Sequence, residues 1–437
     1  MQYILNSPHF GRGPAPEHTM ELMVDQNAVV AAKGDTHKRL RAALNIGFTS
    51  SAVRNYQPIF ERVAEKMTEQ LSKCSGSLTD LYPILSRAAL SAISEAVLGC
   101  SVRDLGEAFV ANNERIVSLS SCQSSTQILV DAIASRLPKM VRGAVMYLPI
   151  AAFKVLRAVK SLADQIGRRA IAEKLAAAQQ GANMRTDVFG MLYFVRLKSR
   201  HAVNPEQSDL KKNGLTEQEL VAQTGILMIA GQDTVTNTLV FGCLELARHP
   251  EFQHQLRAEI HASRRGPLST FAYETHWCPK ETLRLYPPEA IHERITVQDT
   301  VIPLADGIKN SKGEVMNHIP VQKGQVVLVA IASYQRLQSR WGEDAHQFRP
   351  SRWVDGTIEQ GQAVGPYANL LSFLGGPRVC LGWRFAILEM QVFFSELIGE
   401  FSFSLPEDDS LRTLYANMLI LVTPSGEKAA PLYITRI

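Results

Sequence analysis

The 437-residue chain carries 46 Lys and Arg against 42 Asp and Glu, a formal charge of +4, with 46% apolar and 20% charged residues. That composition excludes disordered and fibrous classes, and so small a net charge gives no sign of a nucleic-acid partner. The six cysteines, Cys74, Cys100, Cys122, Cys243, Cys278 and Cys380, show no paired spacing. They therefore argue against zinc sites and a disulfide framework and suit a reducing compartment.

The opening stretch MQYILNSPHFGRGPAPEHTM has neither the apolar core of a signal peptide nor the roughly 18 to 20 apolar residues of a spanning helix. From about Thr36 to Arg265 apolar residues recur at three and four spacing, which predicts helices. Leu137 to Val159 is fairly apolar but is interrupted by Lys139, Arg142, Lys154 and Arg157; it reads as an amphipathic helix pair that at most lies on a membrane surface. Leu215 to His249 is the best-marked helix, with a capping box at Thr216 and Glu219, a long apolar stripe, and a stop at His249-Pro250. Between Ile295 and Ser333 the pattern changes to short strands, Val301 to Leu304 and Val326 to Ala332, separated by Gly-containing turns. A loop rich in Pro, Gly and Trp follows from Trp341 to Gly382, then an amphipathic helix from Trp383 to about Phe401 and a β-prone tail. No linker separates independent domains. The expected architecture is one mostly helical unit over residues 1–437 with a minor β part.

The strongest chemical signal is Phe373-Leu374-Gly375-Gly376-Pro377-Arg378-Val379-Cys380-Leu381-Gly382, which reads FxxGxRxCxG. At average residue usage such a pattern arises by chance in a chain of this length with a probability on the order of 10⁻⁴. It resembles the haem-binding loop of cytochrome P450 enzymes, and the resemblance implies the helical P450 fold around haem b. It makes Cys380 the axial thiolate and the metal ligand, with Phe373 covering the sulfur and Arg378 paired with a haem propionate. A thiolate ligand must be deprotonated yet shielded; the helix expected just after Cys380 would offer it backbone N–H groups and a positive end. Gly376 and Gly382 would let the backbone approach the porphyrin.

Inside the long capped helix stands Ala230-Gly231-Gln232-Asp233-Thr234. Gly231 costs roughly 1 kcal/mol against Ala there, and an ionised Asp233 is costly unless partnered or wet. The segment resembles the family's AGx(D/E)T motif facing the haem, which implies that Thr234 and Asp233 relay protons to dioxygen. Val235 stands where many relatives carry a second hydroxyl.

Lys280-Glu281-Thr282-Leu283-Arg284-Leu285-Tyr286-Pro287-Pro288 contains ExxR, which random sequence supplies about once per chain. Its weight comes from the company it keeps. Trp341 to Ala345 and Phe348-Arg349-Pro350-Ser351-Arg352-Trp353 follow in the family's order, so the resemblance makes Glu281, Arg284 and Arg352 a buried triad holding the cysteine loop. His37 and Arg41 share a helix face and resemble the family's pair that contacts a propionate; Arg294 is a third candidate. Lys38 and Arg39 would point outward and offer an acidic reductase a dock.

The resemblance thus implies a haem-dependent monooxygenase that takes electrons from NADPH through a reductase. It would insert one atom of O2 into a lipophilic small molecule and act as a monomer. The wording CLGWRFAILEMQ and DTVIPL is similar to fungal microsomal members acting on terpenoids or other secondary metabolites, which implies the cytoplasmic side of the endoplasmic reticulum, or the cytoplasm if no anchor exists. Against the family pattern, the usual amino-terminal anchor and part of the amino-terminal sheet are expected to be missing. The connection between Ile260 and Lys280 is short, so that Pro279 must open the next helix. Two alternatives stay open: a peroxide-rearranging haem-thiolate enzyme, and a non-catalytic truncated member.

Overall fold

The computed structural model describes residues 1–121, 147, 151–181, 183, 185–200, 214–265, 277–355, 364–408, 410–415 and 418–437. Most of Leu137 to Val159 lies outside the described residues, as do Thr275 and His276.

The helices that bear on the site are α1 (Gly34–Leu44), α2 (Gln57–Ser72), α3 (Leu81–Leu98), α4 (Glu107–Ser121), α5 (Ala151–Gln179), α6 (Glu217–Arg248), α7 (Pro250–Arg265), α8 (Trp277–Leu285) and α9 (Trp383–Glu400); Pro14–Met23 and Val188–Arg200 are also helical. Ten strands accompany them: β1 (Phe10–Arg12), β2 (Ser77–Asp80), β3 (Ile291–Thr296), β4 (Thr300–Lys309), β5 (Val315–Val321), β6 (Val326–Ala330), β7 (Phe401–Ser404), β8 (Arg412–Tyr415), β9 (Leu419–Val422) and β10 (Pro431–Arg436). The described fold is mostly α with a minor β part, as the hydrophobic periodicity predicts.

Helix α6 is the axis of the molecule. It starts where the capping box requires, the Thr216 hydroxyl accepting from Glu219 N at 3.1 Å and the Glu219 carboxylate from Thr216 N at 2.9 Å. Thirty-two residues later His249 caps it, and Pro250, which can donate no backbone hydrogen bond, opens α7 instead. Helix α3 packs along α6, with α5, α8 and α9 also against it. The α3 helix is capped by Asp80, whose carboxylate accepts from Tyr82 N at 3.0 Å, and ends at Gly99 in the left-handed region (φ 71°). Leu81–Leu98 is the one described helix long and apolar enough to cross a membrane, and 72% of it is buried inside the protein.

Two aromatic clusters fix the helices that flank the site. Phe385, in the first turn of α9, is buried with its ring centroid 4.8 Å from Phe60, 6.0 Å from Tyr56 and 6.3 Å from Phe48. Phe241 of α6 stacks on Tyr286 at 4.3 Å, and the Tyr286 hydroxyl donates to Glu245 at 2.7 Å, which ties the end of α8 to α6. Aromatic pairs of this kind add about 0.5–1.5 kcal/mol beyond the area they bury.

All described strand pairings are antiparallel, in the orders β1-β3-β6, β2-β10-β7, β4-β5 and β8-β9. Several boundaries differ from expectation. The run expected as Val326 to Ala332 leaves the sheet at Ala330 and turns into a short helix, Ile331–Tyr334. Strands β1 and β2 were invisible to periodicity because three- and four-residue strands carry too few alternations. They form because their partners, β3 and β10, arrive from some 280 and 350 residues away. Pro279 is the third residue of α8, not its first; there its missing N–H costs no intrahelical bond.

Candidate active site

The cysteine loop is built by backbone geometry. Leu374 is held at φ 56° and Gly376 at φ 68°; Cys380 N donates to Phe373 O at 2.8 Å and closes the loop back on itself. The reason for Gly376 differs from the expected one. A Cβ there would meet the Leu5 carbonyl oxygen at 2.4 Å, so this glycine admits the amino-terminal segment. Gly382 instead caps α9, with only Phe48 in ordinary contact. Phe373 is buried, edge-on to Tyr367 at 6.3 Å.

Cys380 is surrounded by protein yet presents accessible surface, as a side chain lining an interior space does. Burial pushes its thiol up, while a hydrogen bond from the Gly382 backbone and the charge of Arg41 favour the thiolate. The helix-terminus contribution expected at this position is present but does not outweigh desolvation. A bound metal cation would reverse that balance, because coordination deprotonates a thiol outright.

Four guanidinium groups, Arg12, Arg41, Arg294 and Arg378, form one cluster that reaches the cysteine through Arg41. Each has its pKa held down, burial being the first cause in every case. Burial, together with the positive neighbours Arg12, Arg294 and Arg41, brings Arg378 to about 10. Arg378 donates to Ala32 O at 2.8 Å, whereas Nε and one terminal nitrogen of Arg294, a residue 4% exposed, are buried without a protein partner. His37 is buried in the same group, and desolvation with the charges of Arg378, Arg41 and Arg12 lowers its pKa to about 4. At neutral pH it is an uncharged imidazole. A cavity of about 370 Å³ opens against Arg12, Lys33, Arg294 and Arg378, with Leu5 and Val297 on its apolar side. One buried and three half-buried guanidinium groups short of acidic partners, the buried one with unsatisfied donors, near an accessible cysteine are what a planar metal porphyrin with two carboxylates needs. The residues fit haem.

Among the partly exposed residues of α6 past its first turns, Leu227, Ala230, Gly231 and Thr234 form a set at three and four spacing, with Ala230 exposed; Gly225, Ile229 and Arg248 are also partly exposed. That spacing places the four on one face. The Thr234 hydroxyl donates to Ala230 O at 2.8 Å, the bond back along its own helix that Thr commonly makes. Gly231 has a packing reason: a Cβ there would stand 2.6 Å from the Ile93 side chain, so the glycine lets α3 lie close to α6. Asp233 departs from the expected setting. It is 2% exposed, and its Oδ1 accepts from the Tyr82 hydroxyl at 2.5 Å and from Lys428 Nζ at 2.6 Å. Its carboxylate is turned to α3 and the carboxy-terminal hairpin and not to the accessible face.

Glu281, Arg284 and Arg352 come together as one buried unit. Glu281 Oε1 accepts from Arg284 at 2.8 Å, Arg352 Nε at 3.0 Å and Arg349 N at 2.9 Å; Oε2 accepts from Arg284 Nε and from Trp353 Nε1, both at 2.9 Å. Arg284 also donates to the carbonyls of Gln335 at 3.0 Å and Ala345 at 2.6 Å, and Arg352 to Trp341 O at 2.9 Å. This unit is linked to the cysteine loop by Ser372, whose hydroxyl donates to Leu283 O at 2.7 Å, and by Gln335. Its fully buried side-chain amide donates to the carbonyls of Leu283 (2.9 Å) and Arg284 (3.0 Å), and its oxygen accepts from Leu371 N at 2.7 Å, two residues before Phe373.

Sequence reading missed Arg12, Gln335, Tyr82 and Lys428, which stand outside every recognisable pattern and acquire partners only in the fold. It also offered Arg39 as an outward dock. Instead, Arg39 forms an ion pair with Glu219 and donates to Gly214 O at 3.3 Å, so it fastens α1 to the cap of α6; only Lys38, paired with Asp35 at 3.1 Å, stays fully exposed.

A family model described as Cytochrome P450 matches residues 4–430. Among similar proteins, Cytochrome P450 monooxygenase 91 of Postia placenta is 28% identical over 431 residues, covering 94% of this chain and 78% of that protein. Ganoderic acid synthetase of Ganoderma lucidum is 29% identical over 423 residues (91% and 75%). Cytochrome P450 monooxygenase 212 of Postia placenta is 30% identical over 406 residues (87% and 73%).

Proposed function

The chain belongs to the cytochrome P450 family of haem monooxygenases, and from that premise we propose that it oxidises a lipophilic secondary metabolite of the terpenoid class through a site built on Cys380. The family uses haem b with a cysteine thiolate ligand, electrons from a reductase, O2 and a lipophilic substrate. The observation that carries the proposal is the accessible Cys380 with the cluster of four guanidinium groups that reaches it through Arg41.

When bound, the haem supplies the oxidation chemistry and is tuned by its axial sulfur. Cys380 provides that sulfur just before α9, its backbone N–H donating to the Phe373 carbonyl and its sulfur accepting from the Gly382 N–H. Arg12, Arg41, Arg294 and Arg378, with neutral His37 as a single N–H donor, would hold the propionates. Thr234 presents its hydroxyl on the accessible face of α6, and Asp233 one residue earlier, whose carboxylate rests against Tyr82 and Lys428, would have to turn to supply the acid of the proton relay. Glu281, Arg284 and Arg352 keep the loop at a fixed height.

Likeness to a protein named ganoderic acid synthetase supports the secondary-metabolite reading, as does the apolar lining that Leu227 and Ala230 give α6. The same resemblance supports a monomeric, one-domain protein on the cytoplasmic side of the endoplasmic reticulum. Turnover of a terpenoid panel by holoenzyme with NADPH and a fungal reductase tests the proposal. Products from terpenoids and not from fatty acids are expected. Turnover with a hydroperoxide, and none with NADPH and reductase, would establish a peroxide-rearranging enzyme in its place.

A further inference from the structure

Glu289 stands in the turn between α8 and β3, on backbone that is fastened at both sides. Leu419 N donates to Pro288 O at 2.9 Å and Ala332 N to Ala290 O at 3.0 Å, and Pro287, Pro288 and Ala290 are buried. The Glu289 side chain is nonetheless 43% accessible. Its charge bears on Cys380, Arg12 and Arg294, so this carboxylate looks into the same interior space as the cysteine.

An acid so near buried guanidinium groups would ordinarily pair with one. Glu289 does not: Nε and a terminal nitrogen of Arg294 are buried without a protein partner, and Glu289 Oε1 accepts instead from His292 Nδ1 at 2.6 Å. A carboxylate can only accept here, so Nδ1 is the donor. His292 lies on β3 two residues before Arg294, and the two side chains leave the strand on one face. The imidazole is 12% accessible and therefore well fixed. It holds the carboxylate off the arginines, and Glu289 Oε2 makes no bond among the described residues.

We propose that Glu289, oriented by His292, is a specificity-determining residue that accepts a hydrogen bond from a hydroxyl group of the substrate, so that terpenoid alcohols are taken in preference to their ethers. The assignment rests on the terpenoid reading above and narrows it. A hydroxyl fits better than an ammonium because four guanidinium groups cluster at this end of the site. A cationic ligand would meet their repulsion, whereas a neutral O–H forms a charge-assisted bond with a carboxylate. A ligand with no donor would strand the desolvated carboxylate, which is costly.

Binding to ferric holoenzyme, read as the spin-state shift of the Soret band, tests this without turnover. Farnesol, geranylgeraniol and lupeol, each paired with its methyl ether, keep the skeleton and remove only the donor. In wild type at least one alcohol is expected to bind about 10-fold or more tightly than its ether. E289L should abolish that preference, and E289Q should lower it about threefold or more, a neutral acceptor being roughly half as strong. H292L should lose it too, the carboxylate then turning to Arg294, whereas H292N keeps an N–H donor at the Nδ1 position and should retain it. A preference undiminished in E289Q and E289L is steric and overturns the proposal; one undiminished in H292L removes the orienting role of His292. Alcohols and ethers that bind alike in wild type also overturn it, while leaving the terpenoid reading standing. A panel in which no terpenoid shifts the band refutes both. The wild-type and E289Q titrations decide the matter even if E289L or H292L does not fold.

Discussion

Replacing Arg352 by Met should cost about 3–5 kcal/mol of stability, the usual consequence of stripping one partner from a buried ion pair. The magnitude follows from the bonds. Glu281 and Arg352 are 0% and 1% exposed at their side chains. The substitution removes the 3.0 Å bond to Glu281 and leaves the carbonyls of Trp341 and Asp344, at 2.9 and 3.1 Å, without their donor. Glu281 keeps Arg284, Arg349 N and Trp353, so its charge is not orphaned, and the loss should sit at the lower end of that range. Arg352→Lys retains the charge, but three ammonium hydrogens cannot reproduce a planar fork, and about 1–3 kcal/mol should still be lost. Glu281→Gln should be the worst of the series because it leaves two guanidinium groups facing each other across a neutral amide. Urea unfolding followed by fluorescence gives the stabilities, and the carbon-monoxide difference spectrum of the reduced holoenzyme gives the fraction of haem still bound through sulfur. A loss below about 1 kcal/mol in Arg352→Met, with sulfur ligation intact, would refute the claim that the triad bears on the loop.

Thr234→Ala should retain haem and its sulfur-ligated spectrum while releasing more peroxide per NADPH consumed; an unchanged product-to-NADPH ratio would remove Thr234 from the relay. Cys380→Ser should abolish the red-shifted Soret band of the carbon-monoxide complex, and its survival would assign the ligand elsewhere. Glu389 of α9 is fully buried with neither oxygen partnered, and burial raises its pKa well above 4.5. The folded state therefore binds the extra proton, and stability falls as pH rises above about 4.5. Glu389→Gln should then gain on wild type progressively from acid to neutral pH in urea titrations, and a gap that stays constant would show that the carboxyl titrates alike in the folded and unfolded chain. For His37 the sign is opposite: its folded pKa of about 4 lies below the unfolded 6.5. Stability present above pH 6.5 should be lost as pH falls toward 4, and His37→Phe in the haem-free protein should flatten that part of the profile.

Much of this fold was legible because its signals are local. The capping box at Thr216, the stop at Pro250 and the apolar period of α6 and α9 are chemistry within a few residues, and the boundaries fall within two residues of those expected. The cysteine loop was legible because its fixed positions meet separate local demands, a left-handed φ at Gly376 and a cap at Gly382. What stayed hidden depends on long-range contact. Nothing near Arg12 distinguishes it from an exposed arginine until β1 pairs with β3 and sets it among three other guanidinium groups. Asp233 reads as a relay acid from its motif, but its partners come from positions 82 and 428, and only the fold decides which way it turns. Arg39 read as an outward cation for want of any sequence clue that Glu219 would meet it.

Gln335 makes α8 and the cysteine loop mechanically one piece. Its carboxamide donates to the last carbonyls of the helix and accepts from Leu371, and the Ser372 hydroxyl beside it bonds the same Leu283 carbonyl, so a displacement at either end must stretch this one set of bonds. No other side chain can take its place: Glu lacks the donors, Leu lacks everything but the volume, and Asn is a methylene too short. Drift at this position should therefore surface as a tilt of the loop and a wandering of the sulfur long before the protein unfolds.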